Sequence, residues 1–268
     1  MFHPRGPTFF ELARQALSST ERGYDLLAPK FDYTPFRTSD IFLEVTRDFL
    51  STRYESFGSV LDVCCGTGAA MEALVPVTTE RLCGFDMSQG MLDVARQNLE
   101  VSRRIVEGTK VPSLEFCRGN ALDMPFENEF DLAVSFGAFG HIRPRDEPAF
   151  VKQVFKSLRP GGRFVFVTHE MPSLFSPAYW LARGFNGAMH VRNLVVRPPF
   201  VMFYLTFLWP DIEPVFEAAG FDVECVALTD LLPETIELSR GGRGSSTVTI
   251  PISSKHLRLF KMVVATKR

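Results

Sequence analysis

The stretch "DVCCGTG", 62–68, gathers an acid, two thiols and two glycines. Asp62 offers a carboxylate, and Cys64 and Cys65 offer sulfur nucleophiles if they ionise. Gly66 and Gly68 have no Cβ, so backbone can approach a ligand closely there. Three readings are open at this point: a cofactor loop, a pair of reactive thiols, and an ordinary strand end. Asp86 follows about 20 residues later, in "GFDMS", where an acid can accept both hydroxyls of a ribose. It can equally cap the next helix, as can Ser88. In "GNALDMPF", Asn120, Ala121 and Asp123 provide the acceptor and the backbone donor that an adenine edge needs. Next comes "FDLAVSFGAFGHI", which carries Ser135 and His141. His141 is the first candidate general base, His169 the second and His190 the third. Tyr179 and Tyr204 can orient an acceptor or simply pack.

Competing chemistries fail on spacing. A dinucleotide fingerprint starting at Gly66 would put its third glycine at Met71. No Gly-Lys-Ser/Thr phosphate loop, no G-x-S-x-G elbow and no H-E-x-x-H pair occurs. The five cysteines (Cys64, Cys65, Cys83, Cys117 and Cys225) are odd in number and form no CxxC pair. That argues against a disulfide framework or a zinc site, so no metal is expected and reduced, buried thiols are.

The elements that must position these residues follow from periodicity. "VLDVCC", "RLCGFDM", "LEFCRGN", "FDLAVSF" and "GRFVFVT" read as short apolar strands. Between some of them, "SQGMLDVARQNL" and "EPAFVKQVFKSL" place their apolar residues on one helical face. Strand–helix–strand repetition implies an α/β, doubly wound, mostly parallel sheet with helices on both sides. Ahead of the sheet, Thr8 and Glu11 predict a capping box, and Ile41, Val45 and Phe49 predict a second helix over 39–49. The intervening "GYDLLAPKFDYTPF" reads as a loop or lid. Residues 171–209 are too apolar for a linker and are expected to form an aromatic cap over an acceptor. A helix, a stop at Gly220 and a strand follow. "SRGGRGSSTVTIPISS" reads as mobile or a hairpin, and "LRLFKMVVATK" as the last strand.

Taken in order, "VLDVCCGTG", "GFDMSQGML", "GNALDMPF", "FDLAVSFGAFGHI" and "VFKSLRPGGRFVF" resemble the motifs of the Rossmann-like S-adenosylmethionine-dependent methyltransferases. The resemblance is strong over 59–168 and weaker at "PVFEAAGFDVE". It implies a seven-stranded sheet whose final hairpin reverses one strand. It implies S-adenosylmethionine as cofactor, with S-adenosylhomocysteine as product. By the family pattern Asp62 holds the methionine amino group, and backbone around Cys64, Gly66 and Gly68 lies along the methionyl part and ribose. Asp86 takes the ribose hydroxyls, Met87 packs on the adenine, and Asn120, Ala121, Leu122 and Asp123 surround its edge. Ser135 and Phe136 face the amino group. Tyr24, in "YDLLAPKFD", matches a tyrosine that covers the carboxylate in relatives, and Phe31, His141, Tyr179, His190 and Tyr204 are placed beside the acceptor. One departure stands out: the first glycine of the family's loop is Cys64 here. The quinone-modifying members carry a similar "DVCCGT" stretch, although they tend to have Arg-Asn where this chain has Gly140-His141.

Composition narrows the partners. The 268 residues are 46% hydrophobic and 22% charged, enough for one large domain. That domain divides into an N-terminal helical lid (1–55), a cofactor-binding core (56–170), the cap insertion (171–209) and the rest of the sheet (210–268). Lys plus Arg is 29 against 31 for Asp plus Glu, so no basic excess points to nucleic acid. The apolar, aromatic cap points instead to a small, largely apolar acceptor, with Arg183, Arg192 and Arg197 either pairing with an acid on it or solvated. No signal-peptide core opens the chain, and the apolar run 200–209 is shorter than the ~20 residues of a membrane span. A cytoplasmic monomer or homodimer is expected.

Overall fold

The computed structural model describes residues 3–105, 112–232, 235–239, 247–251 and 259–268. Its centre is a seven-stranded sheet of β1 (Phe57–Val63), β2 (Thr78–Asp86), β3 (Ser113–Arg118), β4 (Phe130–Ser135), β5 (Leu158–His169), β6 (Phe221–Ala227) and β9 (Phe260–Lys267). The order is β3-β2-β1-β4-β5-β9-β6. β9 runs antiparallel to both β5 and β6, and the other neighbours are parallel. The strand order turns back on itself between β1 and β4. In open sheets of this kind that reversal is where ligand crevices form, beyond the carboxyl ends of the two strands.

Burial on both faces explains the apolar strands. Leu61, Val63, Cys83, Phe85, Ala133, Phe164 and Phe166 belong to one core, and Val60, Leu82, Leu132, Val134 and Val165 to the other. α5 (Gln89–Ile105) and α6 (Glu147–Ser157) follow their predicted periodicity. α4 (Ala69–Leu74) leaves the β1 loop at Gly68, whose φ of 84° is in the left-handed region. A Cβ there would lie 2.7 Å from Leu99 Cδ1.

Ahead of the sheet lie α1 (Phe9–Ala16), α2 (Thr20–Leu27) and α3 (Asp40–Tyr54). The Thr8–Glu11 capping box forms in both directions. "GYDLLAPKFDYTPF", expected as a loop or lid, is helical through Tyr33: α2 holds Gly23 and Tyr24, and a 3-10 turn, Ala28–Tyr33, follows. Ser19 caps α2 through the Arg22 N–H, and Pro29 is harmless near the start of the 3-10 turn. Two acids then fasten this segment to the core. Asp25 Oδ1 accepts from Ser88 Oγ (2.6 Å) and the Gly90 N–H (2.9 Å), at the positive end of α5. Asp32 accepts from Thr67 Oγ1 (2.6 Å) and Asn98 Nδ2 (3.1 Å).

After β5 the chain forms α7 (Pro177–Val195), then an irregular stretch, then α8 (Glu213–Ala219), which stops at Gly220. Of the glycine-rich stretch 239–254, expected as mobile or a hairpin, residues 240–246 and 252–254 lie outside the described residues; β7 (Thr235–Ser239) and β8 (Thr247–Pro251) pair antiparallel. Leu257, where the last strand was expected to begin, lies outside the described residues, and β9 starts at Phe260. Among the described residues no helix is long and apolar enough to cross a membrane.

Asp32→Ala removes the side-chain bonds that join the 3-10 turn to Thr67 in the β1 loop and to Asn98 in α5. It should lower unfolding free energy by about 1–3 kcal/mol. Hydrogen exchange over 20–33 should accelerate more than in the sheet. Unchanged exchange there would show that packing alone holds the segment.

Candidate active site

The β1 and β4 ends meet at the crevice, and the residues that line it are mostly buried. Asp62 is 1% exposed, and its Oδ2 has no hydrogen-bond partner. Burial, then the neighbouring Asp86, push its carboxyl well above the ordinary range, against a stabilising Met71 N–H. Asp86 is 9% exposed and accepts from the Gly66 N–H (2.9 Å) and the Ser88 N–H (2.8 Å). It ties the β1 loop to the β2 loop. Burial raises its pKa although these backbone donors oppose the shift.

Cys64 has φ 60°. A left-handed residue with a side chain costs about 1–2 kcal/mol, which is why glycine usually fills such a slot. Its side chain packs against one core, and Cys65 packs into the other, so the two thiols diverge. Burial, then Asp86, push both thiols well up, which removes the thiolate that a nucleophile needs. The reactive-pair reading fails on those grounds. A Cβ on Gly66 would meet nothing within 4 Å, so the crevice is open above that amide.

Around the next strands, Met87 is 38% exposed. Asn120 Oδ1 accepts from the Leu122 N–H (3.0 Å), and Asp123 N–H donates to the Asn120 carbonyl (2.8 Å), so 120–123 is a closed turn with Ala121 half-buried and Asp123 exposed. Ser135 Oγ donates to the Val63 carbonyl (2.8 Å), joining β4 to β1, and Phe136 packs toward the α3 side.

His141 is where the lid, the β4 end and the cap converge. Its Nδ1 lies on the Val201 carbonyl, which only accepts, so Nδ1 carries the proton. Nε2 is therefore the acceptor, and the Tyr24 hydroxyl donates to it at 2.6 Å. Burial lowers the His141 pKa below its usual 6.5. Burial, then Asp86, raise that of Tyr24. Both groups are thus neutral. Phe31 meets the Tyr24 ring edge-on, and Phe200 stacks on it at 6.4 Å. Irregular chain at 200–203 bonds both sides: the Val201 N–H donates to Thr20 Oγ1, and the Phe203 N–H to the Gly140 carbonyl. A Cβ on Gly140 would lie 2.9 Å from the Phe203 carbonyl oxygen, so a larger residue would displace Val201 from His141.

The remaining candidates lie outside the Tyr24–His141 bond, although Tyr204 is near enough for its charge to raise the Tyr24 pKa further. His169 Nδ1 engages the Glu170 carbonyl and its ring meets Phe260, and no bond joins it to Tyr24 or His141. His190 is exposed and lies against Phe203, Tyr179 lies against Trp180, and Tyr204 lies against Phe185. The inward-facing part of the cap is 200–207, where Phe200, Phe203 and Phe207 are buried.

Arg37 was not legible as a site residue. Its side chain is 7% exposed and bonds Asp40 Oδ1 (2.6 Å) and the Thr38 carbonyl. It lies 3.7 Å from Asp32, the partner of Thr67, and Thr38 lies against Gly137 at the β4 end. Its Nε has no hydrogen-bond partner. Asp62 Oδ2 and Arg37 Nε are the buried side-chain atoms left unpaired among the described residues. One accepts and the other donates. An isolated arginine before the sheet gives no local signal of this.

Because His141 titrates below 6.5 in the fold and near that value unfolded, its neutral form stabilises the protein fully above about pH 6.5. That contribution is lost as pH falls through the folded pKa. Nitrogen NMR should find Nδ1 protonated and Nε2 bare at pH 7, with the titration midpoint below 6.5. A midpoint above it would mean the ring is more hydrated than its burial implies.

The comparisons fit this geometry. A family described as "Methyltransferase domain" matches residues 60–162. Demethylmenaquinone methyltransferase of Oceanobacillus iheyensis is 32% identical over 180 residues, covering 61% of this chain and 69% of that protein. The same-named protein of Lactococcus lactis is 34% identical over 121 residues, 43% of this chain and 44% of that one. The chain spans about half the length of most curated relatives that it matches. In fold it is like magnesium protoporphyrin IX methyltransferase from Synechocystis PCC 6803 with bound SAH, with TM-score 0.52 and 12% identity over 85% of this chain and 82% of that one. The five ordered motifs, the strand order and the two-thirds coverage of a relative agree, and the chain belongs to the Rossmann-like S-adenosylmethionine-dependent methyltransferases.

Proposed function

We propose that this protein transfers a methyl group from S-adenosylmethionine to an O, N or C atom of a small, largely apolar or aromatic acceptor. The observation that carries this reading is the unpaired couple in the crevice. An α-amino acid presents an ammonium and a carboxylate, and Asp62 Oδ2 and Arg37 Nε are a buried acceptor and a buried donor without a hydrogen bond, Arg37 Nε having only an ion pair with Asp32 at 3.7 Å. Asp86, buried at the β2 end, has the chemistry to take ribose hydroxyls, and the exposed Met87 offers a surface for the adenine. The open space above Gly66 leaves room for the chain between them.

The cofactor supplies a methyl group already activated on a sulfonium. The protein's part is alignment in a dry pocket and disposal of the acceptor's proton. Tyr24 and His141 suit the second task. An acceptor O–H that donates to the Tyr24 oxygen lets Tyr24 pass its own proton to His141 Nε2, and the Val201 carbonyl steadies the resulting imidazolium through Nδ1–H. Phe31 and Phe200, which flank Tyr24, offer an apolar wall to an aromatic acceptor.

A carbon acceptor on a quinol ring is the second reading. Relatives named demethylmenaquinone methyltransferase, about a third identical, favour it. In that case the same relay would remove the proton of the ring hydroxyl and raise electron density at the carbon.

Binding separates the two ends of the cofactor. Arg37→Met should weaken S-adenosylhomocysteine by about 1–3 kcal/mol in calorimetry yet leave adenosine unaffected, whereas Asp86→Ala should weaken both. Equal effects of Arg37→Met on both ligands would remove Arg37 from the methionyl end. Turnover tests the relay: with radiolabelled cofactor and a panel of phenols, quinols and amines, His141→Ala should cost about 10²–10⁴-fold with little change in cofactor affinity. Full activity would leave alignment as the whole mechanism.

A further inference from the structure

α7 is amphipathic in the wrong direction for a cap. Positions 177, 180, 181, 184, 187, 188, 191, 194 and 195 fall on one face at helical spacing. They are Pro177, Trp180, Leu181, Gly184, Gly187, Ala188, Val191, Leu194 and Val195, and all of them are exposed. Trp180 is 65% exposed, Leu181 77%, Leu194 78% and Val195 77%. The opposite face holds the polar anchors. Asn186 donates to and accepts from the backbone of Tyr204 (2.6 and 2.7 Å), and Asn193 does the same with Phe200 (2.9 Å each). Two amide clamps thus lock the helix with its apolar stripe outward. Arg192 bonds the Ala16 and Ser18 carbonyls and brings the end of α7 to the end of α1, where Leu17 is also exposed.

Charge identifies the partner. Between 171 and 199 the charged residues are Arg183, Arg192 and Arg197, with no Asp, Glu or Lys. Arg183 and Arg197 are exposed, and Arg183 borders the stripe. At about 1.5 Å per residue the helix is nearly 30 Å long, straight enough to lie in a plane. A long apolar stripe with a tryptophan, on a segment whose charged side chains are all cations, matches the boundary of an anionic bilayer. A second copy of the chain would bring the same arginines toward each other. We propose that α7 docks this protein on anionic lipid surfaces, lying in the interface with the Trp180–Val195 stripe immersed. The proposal does not depend on the acceptor's identity.

The test is flotation of the full chain with phosphatidylcholine vesicles, with or without phosphatidylglycerol. The protein should rise with the anionic vesicles and stay below with the neutral ones, and salt should weaken the association. Trp180 emission should shift to the blue and be quenched by brominated lipid, an effect absent in Trp180→Phe. Leu181→Glu/Val191→Glu/Leu194→Glu should reduce partition by tenfold or more, on the order of a buried aliphatic contribution. Arg183→Gln/Arg197→Gln keeps the stripe and should reduce it about fivefold for each arginine. This second variant decides the matter if the first does not fold. Failure to rise with either vesicle, equal binding to neutral ones, or unchanged binding by the stripe variant would overturn the proposal. So would a lipid-free dimer in light scattering that the stripe variant splits.

Discussion

The site depends on two carboxylates that fasten the N-terminal segment to the sheet. Asp25 sits at the start of α5 and Asp32 on Thr67 in the β1 loop. A carboxylate at a helix N-terminus satisfies orphan N–H groups and meets the positive end of the dipole, so Asp25 does two jobs with one oxygen. With the segment so placed, Tyr24 reaches His141, and Thr38, next to Arg37, lies against Gly137 beyond β4. Residues more than a hundred positions apart then share one crevice.

The crevice concentrates polar groups where burial penalises charge. Asp62 and Asp86 are both raised by desolvation; the charge of Asp86 raises Asp62 further, and that of Asp25 raises Asp86. Asp86 answers this with two backbone donors, while Asp62 keeps an oxygen unpaired. Unpaired buried groups cost about 1–3 kcal/mol each, and native chains keep few of them.

The 171–209 insertion divides its apolar residues between two solvents. Phe200, Phe203 and Phe207 turn inward, against Tyr24, His190 and the core. The stripe of α7 turns outward because Asn186 and Asn193 need the backbone of 200–204, and that need outweighs the burial α7 would gain by rolling over. Hydropathy alone makes the two halves look alike.

Local chemistry made much of this protein readable from its sequence. Apolar strand runs, the glycines after the first strand and five motifs in order are short-range signals; they led to the sheet and the acidic ends of β1 and β2, and the family resemblance they carry implied the reversed strand. The helix α2 was missed because Gly23 and Pro29 look like breaks, yet Ser19 capping and the Asp25 clip hold it. His141 was visible as a candidate, but its proton on Nδ1 and its partner Tyr24 were not. Those follow from a carbonyl at Val201, which every sequence has at every residue. Arg37 and the outward face of α7 were equally hidden. Periodicity says which residues share a face, whereas only the packing of distant segments decides which face meets protein and which meets solvent.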